Sequence, residues 1–70
     1  MNKFKELLEQ HRGLAEKIHK DTKVRKASIT KYKSWEVTPN FENKLKIYEF
    51  LLDYRLINPE ETSIEQLFNS

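Results

Sequence analysis

Residues 13–39 of this 70-residue chain read GLAEKIHKDTKVRKASITKYKSWEVTP. Within this stretch, apolar side chains three or four positions apart flank a short polar break: Leu14 and Ile18 precede it, and Ile29 and Tyr32 follow it. That spacing places apolar side chains on one side of a helix. The stretch therefore predicts two helices joined by a short turn at about residues 14–35, the second of them at about residues 25–34.

The residues on the N-terminal side predict a further helix. Phe4, Leu7 and Leu8 have helical spacing, and Asn2 is a residue type that caps helix starts. Gly13, the only glycine of the chain, is expected to end this helix.

The C-terminal part predicts a fourth helix at about residues 40–55 and a fifth at about 59–68. Asn40 follows a proline and is a suitable cap. The apolar residues of the fourth helix cover a broad arc and are expected to face the core: Phe41, Leu45, Ile47, Tyr48, Leu51, Leu52 and Tyr54. Two starts remain open for the fifth helix, one at Asn58-Pro59 and one at a capping box from Ser63 to Gln66. Three alternatives remain open for Leu56 and Ile57: they extend the fourth helix, pack as a loop, or contact a second copy of the chain.

No stretch alternates apolar and polar residues as a strand with a hairpin would, so the predicted fold is all-α, a compact five-helix bundle forming one domain. Apolar residues make up 37% and charged residues 34% of the chain, a composition typical of a globular protein. Every apolar run is much shorter than the roughly 18 residues of a transmembrane helix. We expect no membrane association.

The residue types present give little support for catalysis or for binding a metal or cofactor. The chain has no cysteine, which excludes disulfides and thiolate metal ligands and is typical of a cytoplasmic protein. One glycine is too few for a phosphate-binding loop, and His11 and His19 are too far apart in the chain to ligate a metal from neighbouring turns. We expect no enzyme activity, cofactor, metal or small-molecule substrate.

Charge is distributed unevenly along the chain, although the total is only +2. Residues 17–33 contain seven lysines and arginines against Asp21 alone, a net charge of +6, whereas residues 34–70 carry −4 and residues 1–16 are neutral. Such a segment attracts phosphate backbones or acidic protein surfaces.

These residues together resemble the lambda-repressor-like helix-turn-helix proteins, the phage repressor and Cro class. Ile29-Thr30-Lys31-Tyr32 matches the family's I-S-x-W, and Pro39 follows at the family's distance. Residues 39–47 read PNFENKLKI, similar to the family's P-S-L-E-N-L-L-K-I, and residues 62–68 read TSIEQLF, similar to its V-S-L-D-E-L-F. The resemblance covers nearly the whole chain.

The resemblance implies a small phage or mobile-element transcription regulator of the Cro or repressor type, which binds operator DNA with its third helix in the major groove. By position, Lys26, Ala27 and Lys31 would face base edges. The remaining members of the implied DNA-binding set would contact phosphates, flank the bases or supply nonspecific attraction: Lys17, Lys20, Lys23, Arg25, Ser28, Thr30 and Lys33. Binding as a homodimer would need an interface on the same small domain. The candidates for this interface are Trp35, Tyr54, Leu56, Ile57 and Phe68. Side chains of these types more often belong to the core than to an interface.

The chain departs from the family pattern in the turn. Lys23 stands at the turn glycine, where a left-handed backbone costs a side chain on the order of 1 kcal/mol. His19 stands at a small alanine, Arg25 at the capping serine and Trp35 at a glycine. These departures leave a second function open, an antirepressor that resembles a helix-turn-helix domain but binds the DNA-binding domain of a phage repressor and takes part in the same genetic switch.

Overall fold

A computed structural model describes residues 3–34 and 36–68. The described residues form five α-helices and no strand, which confirms the all-α, five-helix prediction. The helices run in chain order as α1 Lys3–Gln10, α2 Leu14–Thr22, α3 Lys26–Lys33, α4 Phe41–Asp53 and α5 Ile64–Phe68.

One apolar core lies between the helices. α2 packs against α1, α3 and α4, while α5 closes the other side against α1 and α4. The largest side chains that are fully shielded from solvent are Phe4, Ile18, Ile29, Ile47, Leu51 and Leu67. Each helix thus contributes at least one of them, as the apolar spacing of the sequence predicts.

Capping explains where α4 begins and ends. The Asn40 Oδ1 accepts a hydrogen bond from the Asn43 N–H at 2.8 Å, as predicted for this cap. At the other end, Arg55 adopts the left-handed conformation with φ 58°, and the Leu56 N–H donates to the Leu51 carbonyl at 2.9 Å. This is a Schellman end, in which a left-handed residue terminates a helix.

The fifth helix begins at Ile64, and therefore the predicted span of 59–68 is too long. Ser63 and Gln66 form the reciprocal capping box: the Gln66 N–H donates to the Ser63 Oγ at 3.2 Å, and the Ser63 N–H donates to the Gln66 Oε1 at 2.9 Å. Asn58 instead organises a turn, since its carbonyl accepts from the Thr62 N–H at 2.8 Å. The Tyr48 hydroxyl also donates to the Thr62 carbonyl at 2.8 Å, which ties the chain before α5 to α4.

One further expectation is corrected, and one open alternative is decided. α1 ends at Gln10 rather than at Gly13, and Gly13 adopts φ 78° directly before α2, where the missing side chain avoids left-handed strain. Of the three alternatives for residues 56 and 57, the structure has a loop: Ile57 is buried in the core, and Leu56 packs against it. The expected cap Asn2 lies outside the described residues.

Candidate functional site

The basic segment folds into α2, a three-residue connection and α3. Lys23 begins the connection with φ 63° and ψ 15°, and its N–H donates to the His19 carbonyl at 2.9 Å. Arg25 is extended and directly precedes α3. The chain therefore keeps a left-handed residue at Lys23 although a side chain is present there, and this conformation is strained.

Side chains hold this connection in place. The His19 Nδ1 lies 2.7 Å from the Val24 carbonyl oxygen, and because a carbonyl only accepts, Nδ1 carries the proton. The Thr22 hydroxyl donates to the Ile18 carbonyl at 2.6 Å and accepts from the Val24 N–H at 3.3 Å. Val24 itself is buried. His19 and Thr22 thus link the end of α2 to the chain that enters α3.

The role of His19 was missed from the sequence, where it reads only as a bulky residue at a small position. Its hydrogen bond joins residues five positions apart across an irregular turn. His19 and Val24 come within hydrogen-bonding distance where the backbone turns left-handed at Lys23, and the sequence does not show that turn. A polar ring at this position is the one signal that the sequence offers.

α3 has a clear inner and outer side. Ile29 and Tyr32 are buried in the core. The Tyr32 hydroxyl also accepts a hydrogen bond from the Asn43 Nδ2 of α4 at 3.0 Å, which fixes the C-terminal half of α3. The outer side consists of Lys26, Ala27, Thr30 and Lys31, all exposed.

The remaining members of the predicted DNA-binding set surround this outer side. Lys17, Lys20, Lys23 and Arg25 are exposed, whereas Ser28 and Lys33 are half-buried. All ten residues thus keep some contact with solvent, and eight of them are exposed. The three residues expected at base edges lie on the outer side of α3.

Electrostatics distinguish Lys26 from the other cations. Its Nζ lies 3.4 Å from the Glu16 Oε1 of α2, and both side chains are about half exposed. Within residues 3–34 and 36–68, no other cation of the segment 17–33 forms an ion pair. The segment therefore keeps most of its positive charge unneutralised and available to an anionic surface.

The residues considered for a partner interface lie in different places. Ile57 and Phe68 belong to the core, with the Phe68 ring 5.2 Å from that of Phe4, so neither offers a surface to a partner. Leu56 is partly buried against the core. Tyr54 is 52% exposed, whereas Trp35 lies outside the described residues.

Tyr54 links α4 to α2. Its hydroxyl donates to the Asp21 Oδ2 at 3.2 Å, and its ring lies 4.5 Å from that of Phe50. This hydrogen bond and the negative charge of Asp21 raise the pKa of Tyr54 above its ordinary value. Asp21, the one acid of the segment 17–33, is thus turned towards α4.

The apolar arc predicted for α4 is only partly buried. Ile47, Phe50 and Leu51 lie in the core, but Phe41 is 68% and Leu45 is 38% exposed. The expectation that Phe41, Leu45 and Tyr54 face the core is therefore wrong. The core packs against the opposite side of α4, where Asn43 also bonds to α3. Val37, in the connection before α4, is exposed as well.

The described residues contain no group of three or more His, Cys, Asp or Glu side chains arranged to hold a metal ion. Over the same residues, no helix has the length and apolar character needed to cross a membrane.

Comparison with known proteins adds no relative. No protein-family model, no curated protein and no solved structure matches the chain.

Proposed function

We propose that the protein is a small transcription regulator that binds operator DNA through a helix-turn-helix, with α2 and α3 as its two helices and α3 in the major groove. One observation carries the proposal. Between Thr22 and Ser34 there are five cations and no acid, and the exposed side of the helix within this stretch also presents short, neutral side chains.

This combination suits double-stranded DNA. In a helix-turn-helix, N-terminal residues of the second helix contact base edges, while neighbouring cations contact the phosphates that border the groove. Lys26 and Lys31 supply donors for guanine acceptors, and the Ala27 methyl group suits a thymine methyl group. Lys17 and Lys20, exposed on α2, supply attraction to the backbone that does not depend on sequence.

The ion pair between Lys26 and Glu16 fits this role. Both side chains are about half exposed, and an exposed pair of this kind contributes only about 0–1 kcal/mol. Lys26 therefore exchanges Glu16 for a base at little cost, and Glu16 orients it while DNA is absent. Removing Glu16 is expected to change affinity less than removing Lys26.

Selection from a randomised duplex library at about physiological salt tests the proposal, because nonspecific attraction alone does not enrich a motif. We expect an enriched motif. On the enriched site, Lys26→Ala and Lys31→Ala should each weaken binding by about 1–3 kcal/mol, while Lys20→Ala should mainly flatten the dependence on salt. Lys46→Ala, which removes a cation of α4 outside the segment, is the matched control and should leave binding unchanged.

Failure to enrich a motif with folded protein would contradict operator binding. In that case the same basic side of α3 would be tested against phage repressor DNA-binding domains, the partner of an antirepressor. Equal losses on all sequences from the Lys20, Lys26 and Lys31 variants would also contradict it, because they would indicate nonspecific electrostatic attraction only.

A further inference from the structure

α4 carries a second apolar row besides the one that faces the core. Phe41, Leu45, Tyr48 and Leu52 follow one another at intervals of four, three and four residues, which aligns them along one side of the helix. Phe41 is 68% and Leu45 is 38% exposed, and Tyr48 and Leu52 are partly buried. We call these four residues the α4 seam.

The exposed part of the seam is its N-terminal half. At the other half, the Tyr48 hydroxyl bonds to the Thr62 carbonyl, so the chain before α5 lies beside the seam there. An aromatic side chain has about 150–250 Å² of surface, and Phe41 therefore leaves on the order of 100–170 Å² in water. Leu45, one turn further along α4, is exposed as well and extends this apolar surface along the helix.

The spacing of the seam is that of a coiled coil. Intervals of four, three and four residues assign Phe41 and Tyr48 to heptad position d and Leu45 and Leu52 to position a. The charged residues beside the seam then have defined positions. Lys44 takes position g, and Glu42 and Glu49 take position e.

These charges favour one arrangement of two copies. In a parallel pair, position g of one helix lies opposite position e of the other helix five residues later, so that Lys44 meets Glu49 of the other copy, twice across the twofold axis. In an antiparallel pair, position g faces g and position e faces e, and like charges would meet. Neither Lys44 nor Glu49 forms an ion pair within the described part of the chain.

We propose that a second copy of this chain packs on the α4 seam, with the two α4 helices parallel about a twofold axis and Lys44 of each copy paired with Glu49 of the other. The contact buries Phe41 and Leu45. It is short, because only the first half of the seam is open, and falls below the roughly 800 Å² per partner of a standard interface. We therefore expect a weak dimer that forms only at high protein concentration. This inference does not depend on DNA binding.

Sedimentation equilibrium of the whole chain from micromolar to millimolar concentration tests the proposal. Lys44→Glu and Glu49→Lys should each raise the dissociation constant tenfold or more, because each places like charges opposite one another. The double variant Lys44→Glu/Glu49→Lys restores opposite charges and should dimerise like the original chain. An equimolar mixture of the two single variants should form heterodimers, because both pairs across the twofold axis then join opposite charges.

Lys46→Glu is the matched control. Lys46 lies on the same helix but at heptad position b, away from the seam, and pairs with Glu42 of its own chain at 3.4 Å. We expect its dissociation constant to stay within twofold of the original. Phe41→Ser should abolish dimerisation, and circular dichroism checks that each variant keeps its helices.

A chain that remains monomeric at millimolar concentration would overturn the proposal, including when it binds some other protein through the seam. The parallel arrangement would be overturned if Phe41→Ser abolishes the dimer but the double variant Lys44→Glu/Glu49→Lys dimerises no more tightly than the two single variants.

Discussion

Replacing Lys23 by glycine is expected to stabilise the protein, although it removes a side chain from the segment assigned to DNA. Lys23 has φ 63°, a conformation that costs a residue with a Cβ about 1–2 kcal/mol. Glycine has no such cost but loses about 0.5–1 kcal/mol more conformational entropy on folding. The expected net gain is about 0.5–1 kcal/mol in the free energy of unfolding, which for a domain of this size raises Tm by about 3–6 °C.

Two matched variants isolate this effect. Lys23→Ala removes the same charge and keeps the left-handed strain, so its stability should stay within about 0.5 kcal/mol of the original. Lys20→Gly makes the same exchange at an exposed position within α2, where glycine should destabilise by about 1 kcal/mol. Urea unfolding followed by circular dichroism measures all three. A glycine variant at Lys23 no more stable than the alanine variant would refute the assignment of strain.

The structure supports three further predictions. His19→Ala removes the hydrogen bond to the Val24 carbonyl and should lower the free energy of unfolding by about 0.5–1.5 kcal/mol in urea; unchanged stability would show that the bond does not hold the turn. Asn40→Ala removes the cap of α4 and should cost about 0.5–2 kcal/mol in the same assay, whereas Asn40→Asp should cost much less. Tyr54 ionises above its ordinary pKa of 10.0, so the stabilisation from its bond to Asp21 is present at neutral pH and is lost as the pH rises through that raised pKa; Asp21→Asn should lower the pKa of Tyr54, as measured by an NMR titration, and an unchanged value would contradict the assigned cause.

The parts of the fold that were predictable from the sequence are those encoded by neighbouring residues. Asn40 and the box from Ser63 to Gln66 act on backbone groups three positions away, and therefore the helix starts that they fix can be recognised in the chain. Apolar spacing likewise gave Ile18 and Ile29 their places in the core.

What was not predictable depends on how the helices pack. α4 is apolar over a wide arc, and the sequence does not say which part of that arc the core covers. The position of α5 and the bond from Asn43 to Tyr32 turn Ile47 and Leu51 inward and leave Phe41 in water. The bond from Tyr48 to the Thr62 carbonyl likewise joins residues 14 positions apart, and no local pattern predicts it.

The same packing separates the two proposed surfaces. Asn43 lies on the side of α4 that bonds to α3, whereas Phe41 and Leu45, each two positions away, lie together on the opposite side of the helix. The cations of α3 and the α4 seam are thus carried by different elements, and a variant of one need not alter the other. If both proposals hold, Phe41→Ser should leave the affinity of a single α3 for its half-site unchanged and should weaken binding to a two-half-site operator, because only the dimer joins two such helices. An equal loss of affinity for single and paired half-sites would show instead that Phe41 is needed to hold α3 in its folded position.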